Sequence, residues 1–275
     1  MRLSQDKLSE LIEKHTCVAD DVSWNRFSSI PWQDLQPELL TAKERSAIAF
    51  VNLIEDHLPG YFTEYMQLFP INPDTPLEAC MYNRELYHFL VRWAQEEDRH
   101  AHVLTNYQLR AGLMPLEQLQ QELACEGRKQ FTIKFTEPLQ VFTYALLQEK
   151  ATLLYYKQLH QVVREPVLKF ILRLLVKDEA RHFAFFSSIV GAHIEEFGEQ
   201  AIPLIKVVLQ DFKMPLHNTL TNYWRRAMIT CEAVGGHQYA EASKALAKLI
   251  HRWADPAARL QASTMVDSTQ KVHAV

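Results

Sequence analysis

Apolar residues recur at three- and four-residue intervals over most of this chain, a period that predicts helices rather than strands. The first long run extends from Ala47 to Phe69 and stops at Pro70, and Thr41 followed three positions later by Glu44 forms a capping-box pattern ahead of it. A second run starts at Thr75-Pro76, where Thr75 is placed to cap, Pro76 suits the first helical position and Glu78 is placed to close the box; it continues to about Gly112. A third spans about Pro138 to Val163. The Glu165-Pro166 step opens a fourth, which a glycine C-cap ends near Gly198. Shorter helical segments are expected over Leu3 to His15, around Leu116 to Leu123, and over Ala201 to Phe212, Leu216 to Val234 and Tyr239 to Trp253, with breaks at Pro215 and Gly235-Gly236. Trp24 to Pro37, which holds Pro31 and Pro37, reads as an irregular arm.

Four long amphipathic helices, with the longest connection between the second and third, predict an all-α four-helix bundle with one crossover and additional N- and C-terminal helices. One domain over residues 1–275 follows, with an N-terminal arm at 1–40, a core bundle at 41–198, C-terminal helices at 199–254 and a loose polar tail at 255–275. Only 7 glycines among 275 residues suit long uninterrupted helices. The net charge of -4 lacks the positive bias of a nucleic-acid binder. Cys17, Cys80, Cys125 and Cys231 form no C-x-x-C pair, and the charged N-terminus lacks the apolar run of a secretory signal or a spanning helix. The expectation is a soluble cytoplasmic protein with no membrane or nucleic-acid partner.

The chemistry sits in a repeat. Glu97-Asp98-Arg99-His100 in the second helix and Glu179-Ala180-Arg181-His182 in the fourth are both Glu-x-x-His, a spacing that puts the two side chains on one helix face. Either motif alone is equally well a solvated face carrying ion pairs. Two of them, each on the helix that follows another long helix bearing carboxylates, match the carboxylate di-metal sites of ferritin-like bundles. Four buried carboxylates without cations would protonate, and two divalent metals would neutralise them. Carboxylates with one imidazole per metal suit iron, with manganese also admissible, whereas structural zinc would be expected to recruit thiolates. Spacing alone does not locate the carboxylates of the first and third helices.

The strings Ile54-Glu55-Asp56-His57-Leu58-Pro59, Trp93-Ala94-Gln95-Glu96-Glu97-Asp98-Arg99-His100, Gln148-Glu149-Lys150-Ala151-Thr152 and Asp178-Glu179-Ala180-Arg181-His182 resemble the acyl-[acyl-carrier-protein] desaturase family in order and helix position, as do Lys213-Met214-Pro215-Leu216-His217 and Arg252-Trp253. The resemblance implies two iron ions held by Glu55, Glu97, His100, Glu149, Glu179 and His182, with Glu97 and Glu179 as bridges. It also implies O2-dependent desaturation of an acyl chain on an acyl carrier protein, a ferredoxin-type electron donor and a homodimer. Thr152 stands where the family keeps a hydroxyl near the oxygen-binding position, which would make it a catalytic proton relay; a helix-interior threonine bonded to a backbone carbonyl is the equal alternative. Trp93 resembles a family tryptophan near the cluster, and a core aromatic would look the same. Glu96 and Asp178 are candidates to accept the second ring N–H of the ligand histidines, with Arg99 and Arg181 either neutralising them or lying in surface ion pairs. Lys213, Arg225 and Arg226 are candidates for a basic docking patch for an acidic carrier protein, and a solvated helix face is the more common role of any one of them. Departures from the plant members, Lys150 for an arginine and Ile54 for a small polar residue, bear on substrate position. The rival readings are a di-iron hydroxylase or N-oxygenase acting on an amino acid or carrier-bound precursor, and an iron-storage protein, against which the C-terminal helices argue.

Overall fold

A computed structural model describes residues 1–235 and Lys248; the helix expected at 239–253 and the tail at 255–275 lie outside the described residues. The fold is all-α, with no strand among the described residues. Helix α1 (Gln5–Asp21) starts at Ser4, whose hydroxyl accepts the Lys7 N–H, and it runs past His15 because Leu8, Ile12, His15 and Ala19 continue one buried stripe.

The predicted helix from Ala47 to Phe69 is two helices, α2 (Ala42–Glu55) and α3 (Leu58–Leu68). Pro59 has no N–H to give the Glu55 carbonyl, so the ladder is cut at Asp56-His57. The cut is reinforced at Gly60, where a Cβ would come within 2.7 Å of the buried His57 ring; only glycine fits. The Thr41–Glu44 capping box forms as expected.

Helix α4 (Leu77–Arg110) is 34 residues long, and its start departs from expectation: Pro76 occupies the cap position, while the Thr75 hydroxyl turns back to the Pro70 carbonyl (3.2 Å) and Asn72 Oδ1 (3.0 Å). Helix α5 (Leu116–Gly127) leads to α6 (Pro138–Val162) and α7 (Pro166–Phe197). Glu165 caps α7, its carboxylate accepting the Val167 and Leu168 N–H groups together with the Tyr107 hydroxyl, and Gly198 ends the helix at φ 56°. Helix α8 (Ala201–Asp211) follows, then α9 (Tyr223–Ala233). The helix expected from Leu216 starts only at Tyr223, because Leu216 (φ 62°) and Asn222 (φ 55°) take left-handed backbone and turns fill the interval.

Helices α2, α4, α6 and α7 form the bundle, α1 lies on α4 and α7, α8 lies on α6, and α9 covers α2. The interior has two apolar cores. One contains Phe89, Trp93, Phe142 and Phe186, the other Leu104, Tyr107, Tyr156 and Leu175. Between them, formed by Glu96, Glu97, Arg99 and His100 on α4, Glu149 on α6 and Asp178, Glu179 and His182 on α7, runs a buried layer of acids, histidines and arginine. Among the described residues no helix is long and apolar enough to cross a membrane.

Candidate metal centre

Each helix of the bundle contributes to that polar layer. Glu97 and His100 share a face of α4, Glu179 and His182 share a face of α7, Glu149 comes from the interior of α6, and Glu55 is the last residue of α2. All six are buried. Oxygen and nitrogen atoms of Glu55, Glu97, His100 and Glu179 lie within 4.8 Å of one another, as do those of Glu97, Glu149, Glu179 and His182. Glu97 and Glu179 are common to both groups. His100 Nδ1 is 3.3 Å from Glu97, 3.4 Å from Glu179 and 3.7 Å from Glu55; His182 Nδ1 is 3.0 Å from Glu97 and 3.5 Å from Glu149.

The far side of each imidazole is anchored, and the anchors are crossed. His100 Nε2 on α4 is 3.1 Å from Asp178 on α7, and His182 Nε2 on α7 is 2.7 Å from Glu96 on α4. Arg181 bonds both acids, at 2.6 Å to Asp178 and 3.1 Å to Glu96, and Arg99 lies 3.3 Å from Glu96 and 3.5 Å from Asp178. These are buried pairs, not the surface ion pairs the sequence also allowed. Burial opposes ionisation of Glu96, but hydrogen bonding and charge from His182 and the Arg181 cation prevail and bring it down to about 2; Asp178 is likewise held well below the carboxylate range against its burial, by His100 and Arg181. An ionised carboxylate only accepts, so each Nε2 carries a proton. The Nδ1 side of each ring is thereby turned to the cluster.

Two contacts close the layer from the N-terminal arm. The Trp24 indole N–H donates to Asp178 at 2.8 Å, and Arg99, whose guanidinium lies over the Trp24 ring, donates to Ser23 Oγ at 2.6 Å. No spacing in the sequence points to Trp24 or Ser23. Tyr156, whose hydroxyl donates to Glu55, was also missed, although its place seven residues after Glu149 puts it on the same face of α6.

Without a cation this arrangement is electrostatically unfavourable. Burial, then Glu149 and Glu97, push Glu179 far above the carboxylate range, and burial raises Glu55 to about 7. Both imidazoles are driven far up, the surrounding carboxylates outweighing burial, and they hold Glu97 low against its own burial. Protons thus take the role of missing positive charge. His100 Nδ1 and His182 Nδ1 are buried with no hydrogen-bond partner, although each faces several carboxylate oxygens. Two orphaned imidazole nitrogens set among four carboxylates fit two divalent cations of the kind that oxygen-rich sites with one imidazole prefer.

Beside Glu55 lies an apolar cavity of about 150 Å³, walled by Ile54 on α2, Leu147 and Tyr155 on α6, Met214, and Tyr223 and Ala227 of the α9 segment. Thr152 also lines it, and its hydroxyl donates to the Gln148 carbonyl at 3.2 Å. Trp93 packs edge-on against Tyr65 in the apolar core. Of the residues expected to dock a partner, Lys213 and Arg225 are exposed while Arg226 is paired with Glu122 at 2.8 Å. The Lys150 ammonium lies over the Phe183 ring.

Residues 25–268 match the sequence profile of the fatty acid desaturase family. The chain is 25% identical over 234 residues to DesA1 of Mycobacterium tuberculosis, in strain CDC 1551 / Oshkosh and equally in strain H37Rv, a protein provisionally named an acyl-[acyl-carrier-protein] desaturase. That match covers 78% of this chain and 65% of DesA1, so it spans somewhat less than two thirds of the relatives' length. The X-ray structure of DesA2 from M. tuberculosis H37Rv, provisionally described as an acyl-ACP desaturase, superposes with a TM-score of 0.62 at 17% identity, over 94% of this chain and 98% of that one. At that identity the likeness establishes the fold.

Proposed function

The chain belongs to the fatty acid desaturase family, and from that premise we propose that it is an O2-dependent di-iron oxidoreductase that introduces a double bond into an acyl chain carried by an acyl carrier protein. The observation that carries the reading is the pair of buried, unpartnered Nδ1 atoms of His100 and His182, each facing carboxylates while its Nε2 is bound to an ionised acid. In this reading the groups Glu55, Glu97, His100 and Glu179, and Glu97, Glu149, Glu179 and His182, would together hold the two irons. A bound iron pair supplies the dioxygen and one-electron chemistry that side chains lack.

The protein's own residues do the rest. The apolar cavity beside Glu55 receives the acyl chain, excludes water and keeps adjacent C–H bonds next to the cluster, so that oxidation is directed at the substrate. Thr152 lines that cavity, and its hydroxyl, which donates to the Gln148 carbonyl, would relay a proton by turning from that carbonyl toward the cavity. Asp178 and Glu96 fix the imidazoles through their Nε2 protons. The hydrogen-bonded chain from the half-exposed Trp24 through Asp178 to His100 supports electron entry from an external ferredoxin-type donor on the α1 side.

The test is to reconstitute the protein with ferrous iron, reduce it without air, supply a panel of acyl- and aminoacyl-carrier proteins, admit oxygen and weigh the products. Two irons per chain and a product lighter by two hydrogens are expected. A gain of one oxygen would instead establish a hydroxylase or N-oxygenase. Protein that takes up no iron would refute the metal centre itself.

A further inference from the structure

Five of the six clustered side chains leave from the interiors of long helices, where the turns on both sides restrain them. Glu55 does not: it ends α2, and the chain turns at Asp56-His57 because Pro59 cannot continue the ladder. Its side chain stands at the wall of an apolar cavity, with space on one side and the cluster on the other. A carboxylate with three rotatable bonds at such a boundary needs a holder. His100 Nδ1, at 3.7 Å, is beyond hydrogen-bond reach.

Tyr156 meets that need. Among the described residues its hydroxyl is the hydrogen-bond donor to Glu55, to Oε1, leaving Oε2 turned toward His100. The ring is fully buried in the apolar core with Leu159, Leu172 and Leu175, so the phenol oxygen is delivered from a rigid support. It comes from α6, the helix of Glu149, and so reaches across to the other helix pair. Among the described residues no hydroxyl donates such a bond to Glu149; its position in the middle of α6 already sets its direction.

We infer that Tyr156 is a positioning residue that holds Glu55 in its ligating orientation, and that it governs the affinity of one of the two metal positions, the one shared by Glu55 and His100, without governing the other. This inference rests on the metal-centre reading above and concerns the asymmetry within it. Partners of this kind around a metal ligand are typically worth about 10- to 100-fold in metal affinity.

The experiment is an anaerobic ferrous titration of metal-free protein, with bound iron counted and its environment followed by Mössbauer spectroscopy. Wild type is expected to take up two equivalents. Tyr156→Phe, which removes one oxygen and keeps the ring, is expected to take up the first equivalent as wild type does and the second about 10- to 100-fold more weakly. Glu55→Asp, which draws the carboxylate away from the phenol, should weaken the same equivalent. In a Glu55→Ala background, Tyr156→Phe should leave uptake of the one remaining equivalent unchanged, since the phenol acts through Glu55; a merely structural effect would weaken it. The inference is overturned if folded Tyr156→Phe binds both equivalents as wild type does, if both weaken together, or if Tyr156→Phe weakens the remaining equivalent in the Glu55→Ala background. Wild type that binds no iron would overturn the metal-centre reading, and this inference with it.

Discussion

Glu55 and Glu149 occupy corresponding places on the two helix pairs, yet their surroundings differ. Glu149 lies in the interior of the 25-residue α6, while Glu55 terminates α2, accepts a hydrogen bond from Tyr156 and borders the apolar cavity. The outer acids differ too: Asp178 accepts directly from Trp24 of the N-terminal arm, whereas Glu96 is linked to that arm through Arg92, which lies 3.3 Å from Glu96 and 2.8 Å from Asp20 of α1. A near-symmetric set of chemical groups is thus held in an asymmetric frame. The Glu55 side borders an apolar cavity. Pseudo-symmetry describes which atoms gather; the departures from it describe how differently the two helix pairs hold them.

The sharpest way to break the comparison is to remove what the halves share. Glu179→Ala is expected to abolish binding of both metals and all oxidation, whereas Glu55→Ala and Glu149→Ala should each lose one metal; iron per chain measures this. Because a buried carboxylate without a cation is unfavourable, the metal-free Glu179→Ala protein should melt no lower than metal-free wild type. Wild-type iron content in Glu179→Ala would refute its assignment as a shared ligand.

Next in size is a test of the crossing. Asp178→Asn should weaken the His100 position and Glu96→Gln the His182 position, each by about 10- to 100-fold, although each substituted residue lies next in sequence to a ligand of the other motif. Site-resolved spectroscopy of singly loaded protein would decide the matter. Loss at the position nearest in sequence would show that the anchors act along their own helices.

The smallest expected effect concerns pH. In metal-free protein His100 and His182 are raised far above their ordinary value of 6.5 by the carboxylates they face, so their contribution is complete below 6.5 and declines as pH rises through their elevated values. Glu55, raised to about 7 by burial, acts in the same direction, since above 4.5 the unfolded chain releases a proton the folded one keeps. His15 and His193, lowered by burial to about 3 and 4, act oppositely: stability falls as pH drops below 6.5 because the unfolded chain binds protons first. Metal-free protein should therefore lose melting temperature from pH 6.5 to 8, and iron-loaded protein should lose less. Parallel slopes in thermal melts would contradict the idea that protons stand in for metal charge.

Much of this protein was readable along the chain. The 3.6-residue period, the Thr41–Glu44 box, the Glu165-Pro166 start and the Gly198 stop are local signals, because a helix is built from contacts between residues three or four apart. The doubled Glu-x-x-His is local for the same reason, and family resemblance supplied Glu55 and Glu149, which spacing could not. Pro59 was there to be read as well; the apolar period across it masked the break that leaves Glu55 at a helix end.

The remainder depended on tertiary packing. Trp24 and Asp178 are 154 residues apart, Glu55 and Tyr156 are 101 apart, and the crossed anchors are 78 and 86 apart. No periodicity encodes such pairs, since they exist only once four helices have packed at a particular rotation and height. Sequence determined which groups each helix face would present. Packing decided which of them meet, which nitrogen of each histidine is left free and which side of the cluster opens to the cavity, because burial and hydrogen bonding depend on neighbours that only the folded bundle brings together.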